Sequence, residues 1–363
     1  MYSKKIKVAF LTDPLESLHG PLKPPFLIAK ELKGRFSIIF ASLMVGDGVA
    51  EVLESYGFEV LNLNKRFHLS GSLLTFEAWL RKSQFVLEHS NCVVVNFSQC
   101  FLTSAHIYYA QGPITKALDD MIPEMEQTYK LAYRLTRLFF VRRDKRFVKG
   151  LRKRSQLVIA NSKFCASMYE DWGIKVDEVI YPPLDCEQFK PTTSKPSGDY
   201  VLTYAGKETK YSVLKDIAEA DVKVKAFGSK APYIPGYVLR QPNIEFLGKV
   251  SDQELVDLYS NALYTLSAFT HEPFGYIPVE SMACGTPVLT YDRQGPSESV
   301  VNGQTGWFVK NDRELVNVAT RLWREGILQG MRKNCRKRAL HFDAKIIAKE
   351  WLKLIEELVV GGD

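Results

Sequence analysis

Two acids, Glu272 and Glu280, stand in the run His271-Glu272-Pro273-Phe274-Gly275-Tyr276-Ile277-Pro278-Val279-Glu280. An ionised carboxylate accepts several hydrogen bonds and donates none, so each acid suits a pair of hydroxyls on a polyol. Pro278 fits a first helical turn and Gly285 the position just past a last one, which predicts a short helix between them. Phe274 and Gly275 then lie at the helix entrance, where free backbone N–H groups and the positive dipole end favour an anion. Anion and hydroxyls together describe a sugar nucleotide. The plainer reading is a loop acid and a solvated helix acid.

The elements that must hold this stretch are strands. An apolar run at 262–267 precedes it and Thr286-Pro287-Val288-Leu289-Thr290-Tyr291 follows, with Pro287 tolerable only near a strand's beginning. Strand, loop, helix and strand make a βαβ unit, whose parallel strands leave a crevice at their carboxyl ends. The same alternation fills the chain. Strand-like runs recur at 6–11, 36–41, 59–63, 92–97, 105–110 and 157–160, and again at 200–204, 224–227 and 244–247. Helix-like stretches separate them, which means parallel sheets covered on both faces. Ser251 to Glu254 reads as a capping box. Pro, Ser and Gly gather at 182–198, the best domain boundary in the chain.

The Glu272-to-Glu280 spacing, the Glu-Pro-Phe-Gly run, Ala283-Cys284-Gly285-Thr286-Pro287-Val288 and Gly306-Trp307-Phe308-Val309 resemble retaining glycosyltransferases of family four, glycosyl transferases group one. The resemblance implies the α/β GT-B fold, with two Rossmann-like domains facing a central cleft. The expected division is 1–190 as the acceptor side, 198–340 as the nucleotide-sugar side, and 341–363 as a helix returning to the first domain. It further implies a hexosyltransferase, moving mannose or another hexose from a nucleotide-diphosphate sugar to a glycan or lipid-linked acceptor. By the same likeness the enzyme needs neither a cofactor nor a metal, and no D-x-D run offers a divalent site.

Roles follow residue by residue from that likeness. Glu272 would hold sugar hydroxyls and Glu280 ribose hydroxyls, while Phe274, Gly275 and Tyr276 offer backbone donors. Gly206-Lys207 stands where the family has Gly-Arg at the donor diphosphate, with Lys210 or Lys215 as the second cation; a lysine lacks the bidentate fork of arginine. Lys249 and Val250 fall by the base. On the acceptor side the usual glycine-rich loop keeps only Gly20, followed by Pro21. Gln111 takes the place of a histidine, and an amide can orient a substrate but cannot titrate. His106 is close by, inside a strand, where packing is the commoner role. Two other classes fit the same residues: a nucleotide-sugar hydrolase or epimerase, with water as acceptor, and a non-catalytic nucleotide-sugar-binding protein at a membrane.

The chain has 363 residues, 46% apolar and 25% charged, enough for two cores of ordinary soluble type. Lys4, Lys5 and Lys7 lead into a first strand stopped by Asp13, with no signal-peptide cleavage pattern. No run approaches the ~18 apolar residues of a membrane span. Six cysteines without C-x-x-C spacing suit buried thiols in a reducing cytoplasm, and the six histidines form no zinc pattern. The net charge of +7 is local: residues 129–154 hold eleven Lys or Arg against Asp144 alone, leaving 37 basic and 40 acidic residues elsewhere. Lys130, Arg134 and Arg137 share one helical face, and Leu131, Leu135 and Leu138 the next. Contact with an anionic membrane surface or a polyprenyl-phosphate acceptor is the functional reading, giving a cytoplasmic protein peripheral on the inner face. A helix packed on a core with a solvated basic face is the alternative. A nucleic-acid footprint lacks a recognition module.

Overall fold

The computed structural model describes residues 5–15, 22–65, 67–68, 72–81, 92–228, 234–328 and 330–360. Two compact units result, one of Met1–Lys116, Thr136–Pro183 and Ala344–Asp363, the other of Ala117–Leu135 and Leu184–Asp343. This division departs from the expected bounds in three places, since residues 117–135, 184–190 and 341–343 all fall in the second unit. Residues 117–135 join the second unit, where Asp120 bonds to His271. Residues 184–190 join it because the Leu184 N–H donates to Phe342 O and the Arg336 guanidinium holds the carbonyls of Cys186 and Phe189.

The first unit contains β1 (Lys7–Thr12), α1 (Lys23–Leu32), β2 (Ser37–Ser42), α2 (Asp47–Ser55), β3 (Glu59–Asn62), α3 (Ser72–Arg81), β4 (Cys92–Asn96), β5 (Ala105–Ala110), β6 (Ser155–Ala160), α6 (Lys163–Glu170) and β7 (Glu178–Val179). Between β5 and β6 run α4 (Ile114–Met121) and the long α5 (Gln127–Arg154), whose residues are shared between the units. The sheet is parallel, in the order β3-β2-β1-β4-β5-β6-β7. Both faces are covered, so the strands are apolar throughout rather than alternating. Val8, Phe10, Ile38 and Phe40 enter one core while their neighbours Ala9, Leu11, Ile39 and Ala41 enter another, as a period of two requires. The chain's last helix closes the first of these cores, with the Trp351 ring 5.6 Å from Phe97 and 5.4 Å from Tyr109.

The second unit holds β8 (Val201–Tyr204), α7 (Tyr211–Glu219), β9 (Val224–Phe227), α8 (Gly236–Leu239), β10 (Ile244–Gly248), α9 (Asp252–Asn261), β11 (Thr265–Ser267), α10 (Tyr276–Ala283) and β12 (Val288–Tyr291). After these come α11 (Pro296–Ser299), β13 (Gly306–Val309), α12 (Asp312–Glu325) and α13 (Met331–Ala339); the closing helix of the first unit is α14 (Ala344–Val360). The second sheet is also parallel, ordered β10-β9-β8-β11-β12-β13. Its strand order reverses between β8 and β11. Chains therefore leave those two strands in opposite directions, and the space beyond their carboxyl ends stays open for a ligand.

Candidate functional site

The loops that follow β8 and β11 flank this reversal, and they are laced together. The Lys210 N–H donates to Ala268 O at 2.9 Å and the Thr270 N–H to Glu208 O at 2.8 Å, while Thr209 and Phe269 form an antiparallel bridge. Gly206 has a reason to be glycine: a Cβ there would lie 2.1 Å from the Tyr204 ring. Its N–H goes to Thr209 Oγ1 and its carbonyl accepts from Tyr211 Oη, so the turn is rigid before any ligand arrives.

From the second loop the chain enters α10 through Gly275, which sits at φ +96°, a left-handed conformation that a side chain would strain. Gly285, at φ +83°, closes the other end, where the Arg336 guanidinium also holds Ala283 O at 3.0 Å. Glu280 is buried on α10 and accepts from Tyr259 Oη at 3.2 Å. Glu272 is half-buried before the helix. Burial raises its pKa to about 8, helped by the like charge of Glu208 and less by Glu280, and opposed by a hydrogen bond from the Gly275 N–H. That N–H, expected to be free for a ligand, is thus satisfied by the Glu272 carboxyl. The Phe274 ring is buried, edge-on to Tyr276 at 5.5 Å and to Phe342 at 5.6 Å, leaving only its backbone for donor contacts.

A hollow beside Glu272 is lined by Ser267, Phe269, Thr290, Tyr291 and Arg293. The hollow is about 10 Å³, the volume of a single water, and Ser267 Oγ is buried there without a hydrogen-bond partner. The cations differ in freedom. Lys210 Nζ is 2.6 and 3.0 Å from the Asp312 carboxylate and 5.0 Å from the Tyr291 ring centre, whereas Lys207 Nζ lies 3.7 Å from Glu208, its one ion-pair partner among the described residues. Lys215 pairs with Glu219 one turn along α7, so of the two lysines considered for a second cation Lys210 is the one that packs on Tyr291, a residue lining the hollow. Lys249 is exposed and Val250 half-exposed just after β10.

In the first unit, Gln111 ends β5 with its amide nitrogen donated to Phe97 O at 3.1 Å. His106 Nδ1 accepts the Val94 N–H at 3.0 Å on the neighbouring strand, and burial lowers its pKa from 6.5. Both side chains are therefore engaged with the sheet. Gly20 lies outside the described residues.

Several groups at this site are ones that pattern reasoning passes over: Asp120, Tyr291, Arg293, Gln294 and Asp312. Gln294 Oε1 accepts the Glu272 N–H at 2.8 Å, and the Arg293 guanidinium lies 4.6 Å from the Tyr291 ring centre. Asn311 caps α12 by accepting the Glu314 N–H, but nothing local ties Asp312 to Lys210.

Residues 238–342 match the family model described as Glycosyl transferases group 1. A probable sucrose-phosphate synthase of Thermosipho melanesiensis is 31% identical over 118 residues, 31% of this chain and 27% of that protein. The alpha-1,3/1,6-mannosyltransferase ALG2 of Rhizomucor pusillus is 22% identical over 339 residues, 78% of this chain and 70% of that one. This chain spans 27% and 40% of the length of the first two curated relatives it matches. Among solved structures, Anabaena Alr3699/HepE in complex with UDP superposes with a TM-score of 0.69 at 19% identity, covering 97% of this chain and 100% of that one. WaaG, a glycosyltransferase involved in lipopolysaccharide biosynthesis, gives 0.66 at 16% identity over 96% and 99%. The fold is GT-B, α/β with two Rossmann-like units.

Proposed function

We propose that this chain, whose second unit carries the glycosyl transferases group 1 pattern, moves a hexosyl group from a nucleotide-diphosphate sugar to a glycan or lipid-linked acceptor, with retention of configuration. One observation carries the reading: the laced loops beyond β8 and β11 bring Lys207, Lys210, Glu208 and Glu272 together at the strand reversal of the second sheet. Glu272 holds sugar hydroxyls and Glu280, deeper on α10, the ribose. Departure of a diphosphate builds negative charge, and Lys207 meets it with the least competition, while Lys210 must be drawn from Asp312. A double displacement would need a nucleophile and an acid flanking the anomeric carbon. The residues supply no such pair, which favours departure and attack on the same face with the phosphate taking the acceptor's proton. The chemistry runs on these lysines and needs no metal.

Helix α5 supports a membrane-side acceptor. Leu131, Leu135, Leu138 and Phe139 are 60%, 78%, 66% and 49% exposed, interleaved with Lys130, Arg134, Arg137 and Arg142. Apolar side chains laid bare between cations match an anionic bilayer, so we assign the protein to the cytoplasmic face of a membrane, bound peripherally. No described helix is long and apolar enough to cross one.

The test is a thermal-shift panel of sugar nucleotides followed by transfer assays in excess chelator. The cognate donor at 100 times its Kd adds about 2.7 kcal/mol of stability. Glu272→Gln lowers transfer far more than nucleotide binding. No stabilising sugar nucleotide, metal-rescuable loss in chelator, or turnover without acceptor at the full rate would each reject the reading.

A further inference from the structure

Three local preferences are broken at one point in the second unit. Asp119 and Asp120 occupy the last turn of α4, where the helix dipole disfavours acids. Gln294 holds φ +60°, a conformation that a residue with a side chain adopts only when its surroundings enforce it. His271 is 5% exposed yet polar, immediately before Glu272. Where broken local preferences coincide, a functional or strained site is the expected reason.

Their hydrogen bonds explain the coincidence. A single oxygen, Asp120 Oδ2, lies 2.8 Å from His271 Nδ1 and 3.3 Å from Gln294 Nε2. A carboxylate accepts only, so Nδ1 is the protonated ring nitrogen in this contact. Gln294 passes the constraint on: Nε2 also donates to Thr270 O at 3.1 Å, and Oε1 takes the Glu272 N–H at 2.8 Å. The Gly295 N–H completes the brace by donating to Glu272 O at 3.0 Å. The residue before Glu272, the residue two before it, and both backbone groups of Glu272 itself are therefore held from one acid or from the turn that acid fixes. On the other side Asp119 accepts from Tyr133 Oη at 2.9 Å, tying the end of α4 to α5.

We propose that Asp120 is the positioning residue for Glu272: through His271 and Gln294 it sets the backbone from which the Glu272 carboxyl meets the transferred sugar. The proposal rests on the transferase reading for the sugar's identity, and on geometry alone for the brace. On this proposal Asp120 acts through His271 and Gln294, as a positioning and not a catalytic residue. It is 42% exposed at its side chain, so its removal opens no cavity.

The experiment uses the full chain with Asp120→Ala, Asp120→Asn and Gln294→Ala, measuring amide hydrogen exchange over residues 268–276, donor kcat and KM, and the Kd of the bare nucleoside diphosphate. Asp120→Ala is expected to speed exchange of the loop amides by about tenfold. It lowers kcat by about 10- to 100-fold, the penalty of a misplaced group, with nucleoside diphosphate Kd unchanged within about twofold. Asp120→Asn keeps an acceptor oxygen and recovers at least half of the logarithmic loss. The double variant combining Asp120→Ala with Gln294→Ala is no slower than the slower single, because both remove one lace. Unchanged loop exchange in Asp120→Ala, or a fall in nucleoside diphosphate affinity matching the fall in kcat, overturns the proposal. A loop that loosens in a protein with no transferase activity upholds the positioning and refutes the activity.

Discussion

On the proposed reading, Glu272 sets how donor use depends on pH. Its pKa moves from 4.5 to about 8 because the carboxyl is buried beside Glu208 and, more weakly, Glu280, with only the Gly275 N–H favouring the ion. A shift of that size, at about 1.36 kcal/mol per unit, disfavours the ionised form by something on the order of 5 kcal/mol. The sign for stability follows. The folded state holds its proton more tightly than the unfolded chain, so this stabilising contribution is complete below 4.5, declines as pH rises, and is gone above about 8. Binding runs the opposite way. The carboxylate accepts from a pair of sugar hydroxyls more strongly than the neutral acid, and at pH 7 roughly a tenth of the free protein carries it. Initial rates at subsaturating donor report kcat/KM of the free enzyme. From pH 7 to about 9 that parameter is expected to climb about tenfold and then level. Glu272→Gln should be slow and flat over the same range. A wild-type profile that is flat or falls through 8, or an identical limb in Glu272→Gln, would refute the assignment of the ionised form as the reactive one.

Two further outcomes follow from packing and exposure. A Cβ on Gly295 would lie 2.3 Å from Pro273 O and 2.4 Å from Phe274 Cα, so Gly295→Ala must push the Glu272 loop; chemical denaturation should show a loss of about 1–3 kcal/mol, and wild-type stability with wild-type transfer would contradict it. Replacing both Leu135 and Leu138 by Glu should abolish sedimentation with anionic vesicles while shifting stability by less than about 1 kcal/mol, since both side chains are exposed; undiminished vesicle binding would remove α5 as the docking surface.

What the sequence discloses depends on how far apart the interacting residues are. The run 105–110 coincides with β5 and 224–227 with β9, because strands covered on both faces write themselves as unbroken apolar stretches. The Ser251 and Glu254 capping box is present as read, since its two hydrogen bonds span three residues. Glu178–Val179 is invisible in the sequence because two residues have no periodicity, and β13 hides behind turn residues and a family motif. On α5 the spacing of the leucines leaves two readings open: Leu131, Leu135 and Leu138 are exposed, while Phe147, Val148 and Leu151 further along the same helix are buried. Asp120 meets His271 across 151 positions and Lys210 meets Asp312 across 102, and no window on the chain contains such pairs.

The charges around the hollow argue for a ligand with two characters. Once Glu272 ionises, Glu208 and Glu272 repel one another from loops whose backbones are laced together. Hydroxyl donors relieve that repulsion; an anion alone would worsen it. The lysines pose the reverse condition. Lys210 is already neutralised by Asp312, and displacing a carboxylate at 2.6 Å takes a partner of higher charge density, which a diphosphate offers and a neutral sugar does not. A free sugar would thus meet the acids and leave the cations unused, and a free nucleotide would meet the cations while adding negative charge beside two acids. On the proposed reading a molecule joining hydroxyls to a diphosphate satisfies both sets together, and donor discrimination at this site is then expected to reside in the sugar as much as in the base.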